Sequence, residues 1–139
     1  MGYAALDVGR HRIGVAVAGP AGAGAYPLGT IERKSFHHDS KALAAMFDGR
    51  GVTTIIVGLP LNMDGSDGPA ARSARAFSRR LAEALGIAVE LFDERLTSFE
   101  ARERMRGMDF GKGKRKPATD AIAAAVILEG WLQARPERV

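Results

Sequence analysis

Three carboxylates far apart along the chain are the side chains best suited to chemistry: Asp7, Glu94 and Asp120. The 139 residues include no cysteine and only three histidines, so a bound metal would be held mainly by oxygen. Carboxylate oxygens suit hard cations such as Mg²⁺ or Mn²⁺. Ions of this kind can activate water and stabilise a reacting phosphate, which points to phosphodiester hydrolysis if the three acids meet. Spacing alone does not show that they meet.

Asp7 also has a structural explanation. It lies in a strand made otherwise of Tyr, Ala, Leu and Val, where a charge costs several kcal/mol unless something compensates it. An Arg12 partner or turn hydrogen bonds near Gly9 could provide that compensation. From this residue alone, a structural and a functional role are equally well supported.

Glu94 and Asp120 have structural alternatives as well. Glu94 follows a predicted strand, where ligands collect in α/β sheets, but Asp93 is adjacent and points to the opposite face. Spacing does not say which of the two faces Asp7, and one of them could simply pair with Arg95. Asp120 opens a helix, where the helix dipole favours an acid without any further role.

The basic residues are concentrated in one segment. The chain carries a net charge of +4, and eight basic residues against three acidic ones lie between Arg95 and Pro117. Polyanions such as nucleic acid are favoured partners of such a segment. We expect contacts to phosphates from four side chains in a glycine-containing loop that directly precedes Asp120: Lys112, Lys114, Arg115 and Lys116.

Periodicity predicts strands over residues 3–8, 13–18, 25–31, 53–57 and 87–92, the first two forming a hairpin. Helices are predicted over 40–47, with Asp39 or Ser40 as N-cap, over 69–85, from Thr97 to about Gly107, and over 119–134. A hairpin followed by βαβ units implies an α/β fold with a mixed sheet and helices on its faces. We expect one domain over 1–139, because nothing resembles a linker or repeat.

Other motifs are weaker. The loop 58–66 ends near a helix start and offers Asn62 as a supporting residue at the site, although turn formation explains the loop equally well. We interpret three further groups as structural: the run His37-His38-Asp39 as surface and capping residues, the stripe of Arg72, Arg75 and Arg79 as a solvated helix face, and Trp131 as core or an interface anchor. The start MGYAALDVGRHR lacks the pattern of a signal peptide, so we expect a cytoplasmic protein with no membrane partner.

Four segments in this order resemble the signatures of the YqgF (RuvX) family, bacterial proteins described as Holliday-junction resolvases or pre-16S rRNA nucleases: ALDVGRHRIGVAVAG, VGLPLNMDGS, FDERLTS and KPATDAIAAAVILEGWL. The similarity covers about Tyr3 to Leu132. It implies an RNase H-like fold with a mixed five-stranded sheet. It also implies that Asp7, Glu94 and Asp120 form a metal-binding catalytic triad, with Glu94 chosen over Asp93.

The resemblance therefore implies a hydrolase that is a Mg²⁺- or Mn²⁺-dependent nuclease acting on precursor rRNA or on a DNA junction. Junction resolution would favour a homodimer, whereas processing an RNA end needs only a monomer and could involve a ribosomal partner. RuvC-type resolvases carry a fourth acid near the last one, where this chain has Ala123 and Ala124. The alternatives are a non-catalytic nucleic-acid or ribosome-binding module of the same fold, and an actin-like ATPase or sugar kinase, which would need two such domains.

Overall fold

The computed structural model describes residues 2–18, 24–107 and 118–135. Within them, five strands form one sheet, in the order β3-β2-β1-β4-β5. The pairs β1–β2 and β2–β3 are antiparallel, and the pairs β1–β4 and β4–β5 are parallel. The predicted mixed five-stranded sheet is therefore confirmed. The strand bounds are Gly2–Val8 (β1), Arg12–Ala18 (β2), Ala25–Glu32 (β3), Val52–Leu59 (β4) and Ala88–Asp93 (β5).

Four α-helices accompany the sheet in the described ranges: Phe36–Phe47 (α1), Pro69–Leu85 (α2), Phe99–Arg106 (α3) and Thr119–Ala134 (α4). Two predicted helix starts were wrong. Helix α1 is capped by Ser35, whose hydroxyl accepts the His38 N–H at 3.1 Å, and not by Asp39 or Ser40. Helix α3 is capped by Ser98 and not by Thr97, because the Ser98 hydroxyl accepts the Ala101 N–H at 3.0 Å.

The helices lie on both faces of the sheet, as predicted, and each face has its own core. Helices α1 and α2 pack on the face that carries Leu6, Ile55 and Val57. Helices α3 and α4 pack on the face that carries Ala5 and Ile56. Because side chains alternate along a strand, Asp7 shares the second face with Ala5. The side chain of Asp7 is therefore directed toward α4.

Helix α4 lies close against the sheet because small side chains line its contact with it. Ala121, Ala124 and Ala125 are fully buried there. Near the other end of α4, Trp131 packs edge-on against Tyr3, with 5.0 Å between ring centroids, which agrees with a structural role for Trp131. The first turn of α4 thus lies near the end of β1, and its last turn lies near the start of that strand.

None of the helices in the described ranges has the length and apolar character that crossing a membrane requires.

Candidate functional site

The candidate acids gather where parallel strands end. Asp7 is the second-last residue of β1, and Glu94 directly follows β5. Because β1, β4 and β5 run in the same direction, their carboxyl ends lie along one edge of the sheet. Strand β4 lies between the other two, so Glu94 can approach Asp7 only by reaching across the end of β4.

A glycine at the end of β4 makes that reach possible. The carboxyl carbon and Oε1 of Glu94 lie 3.1 Å from the position that a Cβ atom on Gly58 would occupy. A side chain at this position would therefore compete with Glu94 for space. Gly58 is buried inside a strand, where glycine is unfavourable unless another group must approach the backbone closely.

A second glycine lets the helix that carries Asp120 approach from the other side. Gly14 of β2 is the register partner of Asp7 across the hairpin. A Cβ on Gly14 would overlap the backbone carbonyl of Asp120, so the first turn of α4 lies directly on the β2 backbone. The fold thus brings Glu94 and Asp120 toward Asp7 across two glycines, Gly58 and Gly14, which have no side chain in the way.

The acids of the site influence one another electrostatically. Burial, reinforced by the negative charge of Asp120, raises the pKa of Asp7 above its ordinary value. Burial, then the charge of Asp7 and then that of Asp93, raises the pKa of Glu94. No described residue forms an ion pair with Asp7 or Glu94. Half-buried acids that repel each other in this way would be stabilised by a bound cation.

Asp120 differs from the other two acids because it has a cationic partner. The Nε of Arg12 donates to its Oδ2 at 2.8 Å. Arg12 was considered as a partner for Asp7, and that hypothesis was wrong, since the guanidinium pairs with Asp120 instead. Across the described residues, no three Asp, Glu or His side chains are arranged so that they could hold one metal ion. The carboxylate oxygens of Asp7, Glu94 and Asp120 suit a hard cation, but the three side chains do not surround a single metal position in this structure.

Asp93 has a structural role, which was one of the alternatives considered for the two neighbouring acids. Its carboxylate accepts from Arg95, with the closest contact, Nη2 to Oδ2, at 2.8 Å. This pairing and further bonds to Arg95 lower the pKa of Asp93. Arg95 also donates to the Met63 carbonyl at 3.2 Å, so it ties the loop after β4 to the short 3-10 helix Glu94–Leu96 that follows β5.

Asn62 is exposed and bonds within its own loop. Its amide donates to the Ser66 hydroxyl at 3.0 Å, and its backbone N–H donates to the Ser66 carbonyl at 2.9 Å. The amide also lies against Gly68, at the start of α2. These contacts are the turn chemistry that was the alternative to a role at the site. The supporting role of Asn62 stays a prediction.

The remaining sequence-based candidates lie elsewhere. The predicted phosphate-binding residues Lys112, Lys114, Arg115 and Lys116 fall outside the described residues. Within the arginine stripe of α2, Arg75 pairs with Asp67 at 2.7 Å. The run His37-His38-Asp39 is structural, as interpreted, but Asp39 is buried and not a surface residue.

Two residues of the site, Gly14 and Gly58, were missed from the sequence, and so was the pairing of Arg12 with Asp120. A signal existed for the glycines, because a glycine inside a buried strand marks a bulge or a close approach. No local pattern could have paired Arg12 with a residue 108 positions away.

The sequence of the chain matches a known protein family. The sequence model of the RuvX family, described as Holliday junction resolvase, matches residues 1–134. A protein of Anaeromyxobacter sp. (strain Fw109-5) named "Putative pre-16S rRNA nuclease" is 49% identical over 97% of this chain and 98% of its own length. A protein of the same name from Myxococcus xanthus is 43% identical over 93% of this chain and 85% of its own length.

The fold has a counterpart among solved structures. Thermus thermophilus RuvC superposes with a TM-score of 0.64 at 13% identity, over 94% of this chain and 92% of that one. Such a match shows a shared RuvC-like, RNase H-like fold and leaves function to the site. The match of the family model over residues 1–134 and the relatives at 43–49% identity establish that this chain belongs to the RuvX family.

Proposed function

We propose that this protein is a divalent-metal-dependent nuclease that hydrolyses phosphodiester bonds in nucleic acid. The observation that carries the proposal is the approach of two elements toward Asp7: the Glu94 carboxyl group lies over Gly58, and the turn of α4 that carries Asp120 lies over Gly14, the register partner of Asp7. Burial and mutual repulsion raise the pKa of Asp7 and of Glu94, and neither acid has an ion-pair partner among the described residues. Maintaining such an arrangement costs free energy, and a catalytic cation explains why it is present.

Asp7, Glu94 and Asp120 would hold Mg²⁺ or Mn²⁺ through their oxygens. The cation would supply the positive charge that favours attack of water on a phosphodiester and stabilises the departing oxygen. The protein contributes the placement of the ligands. Gly58 gives Glu94 room to cross β4, and Gly14 lets the first turn of α4 settle beside Asp7.

For the substrate we favour the 5′ end of precursor 16S rRNA over a four-way DNA junction. The relatives that are 43–49% identical carry the rRNA name, whereas the junction description belongs to the family model. The basic segment that precedes α4 would contact the phosphates of either substrate through Lys112, Lys114, Arg115 and Lys116. We propose that the protein acts in the cytoplasm, where both substrates occur in bacteria.

The test uses labelled precursor 16S rRNA 5′ leader and a labelled four-way DNA junction, each with Mg²⁺, Mn²⁺ or EDTA. Wild-type protein is compared with Asp7→Asn, which keeps the size of the side chain and removes its charge. Cleavage that needs the cation and falls at least about 100-fold in the variant supports the nuclease. The substrate that is cut faster decides between RNA processing and junction resolution.

Binding of both substrates without cleavage, equal in wild type and Asp7→Asn, would overturn the proposal. It would favour the alternative of a non-catalytic nucleic-acid or ribosome-binding module. The assay is repeated with 30S precursor particles, so that a requirement for a ribosomal partner is not mistaken for inactivity. Sedimentation of the protein on the DNA junction tests for the homodimer that paired cuts would require.

A further inference from the structure

Arg12 occupies an unusual position, because it pairs with one acid of the candidate site and leaves the other two without a cation. We infer that Arg12 competes with the metal ion for Asp120, so that the Arg12–Asp120 ion pair and cation binding exclude each other. The inference rests on the proposed function, since it takes Asp120 as a metal ligand. It adds a role for Arg12, which the proposed mechanism does not use.

The backbone of Asp120 is fixed, but its carboxylate is not. The carbonyl of Asp120 lies against Gly14, and α4 is packed on the sheet along its length. The carboxylate is 31% exposed, so a rotation about its side-chain bonds would let it exchange Arg12 for a cation. The negative charge of Asp120 reaches Asp7, which places the two acids within electrostatic range of each other.

The ion pair is also weak enough to be exchanged. The Arg12 side chain is 62% exposed, and a solvated pair of this kind adds little to stability. A divalent cation carries twice the charge of Arg12 and would interact with three carboxylates at once. Competition with Arg12 also accounts for the absence of a closed set of three ligands in the described part of the chain.

Release from Asp120 would leave Arg12 beside the bound cation with its donors free. A planar guanidinium matches the oxygens of a phosphate. Arg12 would therefore become available to the nucleic-acid backbone only when the metal is present. The opposite view is that Arg12 is a fixed support that holds Asp120 in position for the metal. The two views predict opposite changes in metal affinity when Arg12 is neutralised.

The experiment measures Mn²⁺ affinity by isothermal titration calorimetry, without nucleic acid, for wild type and Arg12→Gln. Competition predicts that Arg12→Gln binds Mn²⁺ about two- to fivefold more tightly, because the cation no longer displaces an ion pair. The matched control is Arg10→Gln on the same turn. Arg10 is exposed and has no acidic partner in the described ranges, so this change removes the same charge without freeing Asp120.

A second comparison separates competition from a general effect of charge. In an Asp120→Asn background the pair is already gone, so adding Arg12→Gln should leave the Mn²⁺ affinity unchanged. If Arg12 acted only through its long-range field, the affinity would rise by the same factor in both backgrounds. A small, fluorescently labelled RNA whose binding falls in Arg12→Gln with Mn²⁺ but not in EDTA would support the release of Arg12.

Unchanged or weaker Mn²⁺ binding by Arg12→Gln would overturn the inference, and so would an equal gain in Arg10→Gln or in the Asp120→Asn background. These outcomes leave the nuclease proposal standing. The metal site itself fails differently: if wild type binds no Mn²⁺, or if Asp7→Asn binds it as tightly as wild type, then both the proposed function and the inference are wrong. Circular dichroism of each variant shows whether it is folded.

Discussion

Asp39 and Asp7 are both acids that the fold withdraws from water, and their surroundings are opposite. Asp39 is only 2% exposed, yet it accepts the Lys34 N–H at 3.0 Å and contacts His38 Nδ1 at 2.9 Å, with Arg33 Nε at 3.7 Å. Asp7 is less buried, but no described residue forms an ion pair with it, and the charge that adds to the effect of burial on its pKa is that of another acid, Asp120. The more deeply buried acid is therefore the one whose charge is compensated, so burial alone does not identify the acid that needs a ligand.

A third buried acid supports charge compensation as the criterion that separates structural acids from those of the candidate site. Glu129 of α4 is also buried, and it accepts the Ala25 N–H and an N–H of Arg104, both at 3.1 Å. Asp39 and Glu129 thus hold parts of the fold together. The acids around Asp7 are left for a ligand to compensate.

Asp39→Ala gives the largest loss of stability that we expect. Removing the carboxylate leaves the Lys34 N–H and the side chain of His38 without their acceptor, at a cost of about 2–4 kcal/mol in the free energy of unfolding. Urea denaturation measures it. The control is Asp67→Ala, which breaks the only partly buried pair with Arg75 and should cost no more than about 1 kcal/mol. Equal losses in the two variants would remove the distinction between compensated and exposed acids.

Gly14→Ala should cost about 1–3 kcal/mol, because the new methyl group overlaps the Asp120 carbonyl and α4 must shift. Unlike Asp39→Ala, it should also weaken Mn²⁺ binding, since the shift carries Asp120 away from Asp7. Gly29→Ala in β3 is the control, because its Cβ would meet only Met46 Cε at an ordinary 3.4 Å. Unchanged stability and metal affinity in Gly14→Ala would show that the close approach is not needed.

The smallest effect concerns pH. Because the pKa of Asp7 and of Glu94 is raised on folding, the folded state holds protons more tightly than the unfolded chain between their ordinary and raised values. The contribution of these acids to stability is thus present at low pH and is lost as pH rises through the raised values. Urea midpoints of metal-free protein from about pH 4 to about pH 8 measure this slope, which Asp7→Asn should reduce. An identical slope in wild type and variant would contradict the shift at Asp7.

Most of the fold could be predicted from the sequence, because strands and helices have local, periodic patterns of apolar residues. The β-branched run before Gly58 and the nearly uniform apolar helix at 119–134 both predicted the elements that the structure contains. Helix starts were less certain, since Ser35 and Asp39, or Thr97 and Ser98, compete as caps within a few residues. The tertiary pairing of Arg12 with Asp120 could not be predicted, because it depends on how α4 crosses the sheet.

The position of α4 has a consequence for how the protein is made. Strands β1 to β5 precede it along the chain, so they can pair during synthesis before α4 has been translated. Until then, the part of this face that α4 covers is exposed, and Asp7 lacks Asp120 as a neighbour. Docking of α4 covers that face and brings the third carboxylate to the other two in the same event. A nascent chain or a fragment that ends before α4 would therefore lack the complete acid cluster, so that full translation becomes a condition for cleavage by the proposed mechanism.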